Sequence, residues 1–153
     1  MQSLELKLPP PAVTLIVALL MWALASMTPA LRIVYDGSVF LAGACILIGV
    51  VVDILGLVAF RAARTTVNPM KPERASVLVK YGIYRFTRNP MYLGLLLDLV
   101  GVGFFLSNPL VFALLPVYVL YLNRFQIEPE ERVLTARFGE GFAAYKEQVR
   151  RWI

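Results

Sequence analysis

The sequence contains no histidine and only one cysteine among its 153 residues. Without histidine, the usual general base near neutral pH and the commonest zinc ligand are both missing, and no metal site is expected. The lone cysteine, Cys45, permits no disulfide within the chain. Set inside an apolar run, it reads as a small core or lipid-facing residue. Charge is scarce as well: Asp, Glu, Lys and Arg supply 16% of the residues, against roughly 25% in a soluble domain. Any catalysis must therefore run on carboxylates, arginine, lysine, tyrosine or an organic cofactor.

Hydrocarbon fills the space that charge leaves. Hydrophobic residues make up 59% of the chain, and the mean hydropathy is +0.70. Lipid, rather than water, is the solvent such a surface suits. The length allows one domain, residues 1–153. The net charge of +5 is confined to segments between apolar blocks, which fits the anionic face of a bilayer and not nucleic acid.

Four apolar runs mark about four transmembrane helices. The first goes from about Leu8 to Met27, entered through Pro9-Pro10-Pro11 and stopped by Thr28-Pro29. Prolines are tolerated in a first helical turn, where no intrahelical bond is lost. Ala23-Leu24-Ala25-Ser26 loosely resembles a signal-peptide cleavage site, but the weak basic region before it and the spans after it favour a retained helix. The second run, Ser38 to Phe60, contains one charge, Asp53, and small residues that allow close helix approach. The third and fourth, Met91 to Leu106 and Leu110 to Leu122, flank Ser107-Asn108-Pro109 and are expected to form a helical hairpin. One unbroken helix over both would be roughly 48 Å long, well beyond a bilayer core.

The remaining segments, 61–94 and 124–153, hold the polar chemistry. Between the second and third runs lie Arg61, Arg64, Lys71, Arg74, Lys80, Arg85 and Arg88, opposed by Glu73 alone. From Gln126 to Ile153, apolar residues recur at helical spacing among charges, predicting an amphipathic helix or helix pair broken near Gly139-Glu140-Gly141. The positive-inside rule places both segments, and both termini, on the cytoplasmic side.

At the point of re-entry into the membrane stands Lys80-Tyr81-Gly82-Ile83-Tyr84-Arg85-Phe86-Thr87-Arg88-Asn89-Pro90-Met91-Tyr92-Leu93-Gly94. Gly82 permits a tight turn, Arg88 and Asn89 supply donors, and Pro90 starts a helix. A helix N-terminus beside arginine suits a carboxylate or phosphate. An interfacial anchor of tyrosine and arginine is the plainer alternative. Glu130-Glu131 are open to ribose hydroxyls, an amino group or nearby arginines, or else are acids favoured by a helix start. Asp53 and Asp98 lie inside apolar runs, where an ionisable group calls for a partner or a water-filled cavity. Each reads as a polar clamp between helices, with substrate contact or general base as the functional alternative.

The pattern Gly82-x-Tyr84-x-x-x-Arg88-Asn89-Pro90-x-Tyr92-x-Gly94, followed by Glu130-Glu131-x-x-Leu134-x-x-x-Phe138-Gly139-x-x-Phe142-x-x-Tyr145, resembles the isoprenylcysteine carboxyl methyltransferase family. That family also resembles the membrane phospholipid methyltransferases. Thr65-Thr66-Val67-Asn68-Pro69 fits its bacterial members, which implies a bacterial inner membrane. The resemblance covers roughly residues 45 to 153 and implies S-adenosylmethionine as methyl donor at the cytoplasmic face. Lys80, Gly82, Tyr84, Arg88, Asn89, Pro90, Tyr92, Glu130, Glu131 and Tyr145 are the implied cofactor-binding residues. Arg88, Glu131 and Arg151 are the implied catalytic ones, with Arg151 matched at the fraying end of the chain. Where the family often has histidine, this chain has Asn89, which still hydrogen-bonds but does not titrate near neutral pH. The implied acceptor is a lipophilic carboxylate, amine or thiol entering from the bilayer. The alternatives are a membrane reductase using NADPH and a non-catalytic lipid-binding protein.

Overall fold

The computed structural model describes residues 5–65 and 72–153, and every regular element among them is helical. Thr66 to Pro69 and Lys71, named above, lie outside the described residues. The elements are α1 (Pro10–Met27), α2 (Ser38–Ala62), α3 (Pro90–Leu106), α4 (Leu114–Leu122), α5 (Glu128–Phe138) and α6 (Glu140–Gln148). Short 3₁₀ turns sit at Pro29–Leu31, Pro72–Arg74, Gly82–Arg85 and Pro109–Ala113, and a π turn at Asn123–Ile127.

Local chemistry sets these boundaries. Pro10 and Pro90 occupy the first turns of α1 and α3, where proline fixes φ and sacrifices no bond. Gly37 caps α2 at φ 96°, a conformation that costs glycine little. α3 stops at Ser107, φ 53°, and Asn108 then organises the turn. Its side chain accepts from Leu110 N at 3.0 Å and donates to the Thr28 hydroxyl at 2.9 Å, tying the turn to the end of α1.

The protein is an integral membrane protein. The helical stretches Pro10–Met27, Ser38–Ala62 and Pro109–Phe138 are each long and apolar enough to cross a bilayer. α3, with 17 apolar-rich residues, extends roughly 26 Å. Large apolar side chains point outward, among them Leu15, Trp22, Phe40, Leu47 and Leu120. Outward hydrocarbon of this extent suits lipid and not water.

α3 is the central element, and it forms the expected hairpin with the following helical run. Its C-terminal end meets the start of that run, where the Phe104 and Phe112 rings stand 5.3 Å apart. Its N-terminal end meets the far part, where the Tyr92 hydroxyl reaches Glu130. Val13 and Met21 of α1 complete a core with Tyr92, Leu99, Val111, Tyr118, Leu122 and Ile127. On its other side α3 packs antiparallel to α2 through glycine notches. A Cβ on Gly94 would lie 2.1 Å from Asp53 Oδ1, and one on Gly49 would lie 2.4 Å from Asp98 Oδ1. Each carboxylate thus rests on the opposing helix's glycine, and its buried Oδ1 has no hydrogen-bond partner among the described residues.

The fourth apolar run does not end at Leu122 as its composition suggests. It continues through the π turn into α5, five of whose eleven residues are charged, so the helix emerges from the apolar span without a break. Pro129 has no N–H to offer the Phe125 carbonyl four residues back; the Leu6 amide bonds that carbonyl instead, at 3.0 Å. The break comes at Gly139, φ 51°, where α6 begins. Both charged segments and the residues before α1 therefore gather at one end of the bundle.

Candidate active site

Because α2 ends where α3 begins, and α5 returns to the same level, one cavity forms among them. It is lined by Phe60, Pro72, Ala75, Val77, Leu78, Val79, Tyr84, Met91, Leu134 and Phe142 on the apolar side. Arg88, Asn89, Tyr92, Glu130, Glu131 and Tyr145 supply the polar lining. Its free space, open solvent at the mouth included, is about 840 Å³.

The re-entry loop is held from behind by the chain's last residues. Arg88 N donates to Arg150 O at 3.0 Å, and Asn89 Nδ2 donates to Arg151 O at 2.9 Å. Asn89 is the N-cap residue of α3, yet its side chain makes no cap bond. The Arg88 guanidinium donates through Nη1 to Val149 O at 2.6 Å and Lys146 O at 3.0 Å, and through Nη2 to Glu131 Oε1 at 2.8 Å. Arg151 grips the same carboxylate with Nε at 3.2 Å and Nη2 at 2.8 Å. Far from fraying, Arg151 is fixed by its side chain and its carbonyl.

Glu130 and Glu131, adjacent in sequence, stand in opposite environments. Burial works against the charge of Glu131, but hydrogen bonds from Arg151 and Arg88 outweigh it and hold its carboxyl below the ordinary value. Glu130 meets neutral donors: Tyr92 OH at 2.5 Å and Gln126 Nε2 at 2.6 Å, both on Oε1. Burial, reinforced by the charge of Glu131, pushes Glu130 up to about 7 against the pull of those two donors. Tyr145 donates to Tyr84 O at 2.6 Å, buried; burial raises both phenols above their ordinary value, so they act as neutral groups.

Of the residues singled out from sequence, seven line the cavity: Tyr84, Arg88, Asn89, Tyr92, Glu130, Glu131 and Tyr145. Four do not. Lys80 is exposed, Gly82 opens the 3₁₀ turn at φ 61°, Pro90 is buried at the start of α3, and Arg151 stands behind Glu131. Sequence reasoning missed Gln126 and most of the apolar wall. Phe60, Met91 and Leu134 sit in apolar or amphipathic runs where nothing distinguishes a wall residue from a packed one.

The lining has a place for a carboxylate, a place for a cation and an apolar face. Arg88 Nε is buried and without a hydrogen-bond partner among the described residues, a donor available to a carboxylate. Glu130 offers a carboxylate that no cation pairs among the described residues, and the apolar wall suits a purine face.

A family model described as phospholipid methyltransferase matches residues 38–141. The chain is similar to an uncharacterized protein of Haemophilus influenzae, 41% identical over 63 residues, which are 41% of this chain and 100% of that protein. It is also similar to a protein-S-isoprenylcysteine O-methyltransferase of Saccharomyces cerevisiae, 35% identical over 82 residues, 52% of this chain and 33% of that one. A protein of the same description from Tribolium castaneum is 34% identical over 112 residues, covering 67% of this chain and 39% of that one. The chain thus spans well under half the length of these two enzymes.

Proposed function

The chain belongs to the phospholipid methyltransferase family, and on that premise we propose that it transfers a methyl group from S-adenosylmethionine to a lipophilic acceptor at the membrane face. The observation that carries this reading is the convergence of both sequence motifs on one cavity, whose polar lining holds an Arg88 Nε without a hydrogen-bond partner and a Glu130 without a cation on it among the described residues. Bound there, the sulfonium supplies an electrophilic methyl group for in-line displacement.

The chain's part is to bind, orient and exclude water, which such a displacement chiefly requires. Arg88 Nε takes the carboxylate end of the cofactor, while Nη1 and Nη2 stay on the tail carbonyls and Glu131. Glu130 answers the positive charge. Phe60, Leu78 and Phe142 shield the apolar portion. Glu131, gripped by two arginines, positions Arg88 and does not act as a base. Arg151 in turn is a positioning residue and not a contact to the acceptor. A carboxylate acceptor needs no base; for an amine or thiol, Glu130 is the lining carboxylate without an arginine on it and takes the proton.

Titration of the detergent-solubilised protein with S-adenosylmethionine and with NADPH tests the reading. Saturable binding of the first alone is expected. Binding of NADPH alone, or of neither, overturns it. Transfer of labelled methyl from S-adenosylmethionine to fractions of a lipid extract would then define the acceptor.

A further inference from the structure

The helical run from Leu114 to Phe138 widens at Asn123–Ile127, and π turns recur at functional sites. Among the hydrogen bonds that leave this turn, three bear on its placement and on the cavity. Leu6 N donates to Phe125 O at 3.0 Å, Trp152 Nε1 donates to Asn123 Oδ1 at 3.0 Å, and Gln126 Nε2 donates to Glu130 Oε1 at 2.6 Å. The first two fasten the turn to the segment before α1 and to the end of the chain. The third reaches the cavity.

Gln126 is 2% exposed and adjoins the fully buried Ile127. A primary amide in such surroundings is costly unless it is hydrogen-bonded. Its donor converges with the Tyr92 hydroxyl on one and the same oxygen of Glu130. Two donors from different helices thereby define the carboxylate's position through a single atom. No lysine or arginine pairs with Glu130 among the described residues, since Arg88, Arg151 and Lys146 are all turned to Glu131.

We infer that Gln126, though outside both sequence motifs, is a positioning residue of the pocket, which with Tyr92 fixes Glu130 through Oε1 and leaves Oε2 for a cationic group of the ligand. This rests on the reading of the cavity as an S-adenosylmethionine site, whose sulfonium and ammonium groups are cations. The π turn is the device that presents Gln126, while its other contacts keep it in place. The groups that bear on Glu130 are Tyr92 from α3, Tyr84 from the turn at 82–85, the adjacent Glu131 and Gln126 itself.

The test is S-adenosylmethionine affinity of the full chain in detergent between pH 6 and about 8.5, the window around the Glu130 value of about 7. It compares wild type with Gln126→Met, which keeps the volume and removes the donor, and Gln126→Asn, which keeps an amide too short to span the gap. A lost hydrogen bond to a charged group predicts affinity weaker by about tenfold or more at pH 7 in both variants. The midpoint of the pH dependence should move upward, because the ionised form of Glu130 has lost a donor. If Gln126→Met does not fold, Gln126→Asn decides. Unchanged affinity, or a loss equal at every pH, overturns the inference while leaving the cavity's assignment intact. A wild-type protein that binds no S-adenosylmethionine overturns the assignment itself, and this inference with it.

Discussion

Replacing Glu131 with alanine should loosen the active end of the molecule more than any other single substitution there. Glu131 accepts three hydrogen bonds from two guanidinium groups: one from Arg88 at 2.8 Å and two from Arg151 at 2.8 and 3.2 Å. The Arg88 and Glu131 side chains are 10% and 11% exposed, whereas Arg151 is 31% exposed. Removing one partner of a buried pair leaves an uncompensated charge and costs about 3–5 kcal/mol. Most of that falls on Arg88, since Arg151 can turn its head to water. Arg151→Ala leaves the Arg88–Glu131 pair intact and should cost less, on the order of 1–2 kcal/mol. Thermal unfolding in detergent measures both. Amide exchange over residues 149–152 reports whether the tail lifts from the re-entry loop. Equal losses for the two variants, or a Glu131→Ala protein that unfolds like wild type with its tail still protected, would refute this account of the clamp.

Further tests address other parts of the fold. Burial sets Glu130 to about 7, above its ordinary value, so affinity for a cationic ligand should fall as pH drops below 7 and the carboxyl takes up a proton. The sign for stability is opposite: a raised carboxyl contributes most below its unfolded value, and that contribution fades as pH rises through 7. Gly94→Ala places a Cβ 2.1 Å from Asp53 Oδ1 and 2.7 Å from the Gly49 carbonyl; overpacking should cost about 1–3 kcal/mol in thermal unfolding. Gly43→Ala meets nothing within 4 Å among the described residues and should leave the unfolding temperature unchanged or slightly raised. Tyr145→Phe abandons the buried Tyr84 carbonyl, bonded at 2.6 Å, and should cost about 1–3 kcal/mol in the same assay.

Much of this was legible in the residues. Span length and prolines located the helices, since both act locally. Arg88, Asn89, Tyr92 and Glu130-Glu131 were brought together by the family resemblance and not by their spacing, and they line one cavity, each within a turn of a helix boundary. The continuation of α4 into α5 was not legible: polarity changes at Arg124 while the helix runs on through its π turn. The division of labour between Glu130 and Glu131 was also hidden. It depends on which carboxylate meets the tail's arginines, a matter of packing between segments 20 residues and more apart. Asn89 has the composition of a helix cap, but its amide is drawn to Arg151 O. Gln126 carries no pattern at all, because its role arises from a turn geometry that no short motif encodes.

The reciprocal seating of Asp53 on Gly94 and Asp98 on Gly49 has a mechanical result. A slide of one helical turn, roughly 5.4 Å, would carry each carboxylate off its notch and against side chains. α2 and α3 are therefore keyed in one register and move as a single strut. A cavity that must widen to admit a ligand has one wall, Phe60, Met91 and Tyr92, on that strut. The opposite wall turns at Gly139 and is tied back to the re-entry loop by Tyr145 and by the two carbonyls that Arg88 holds.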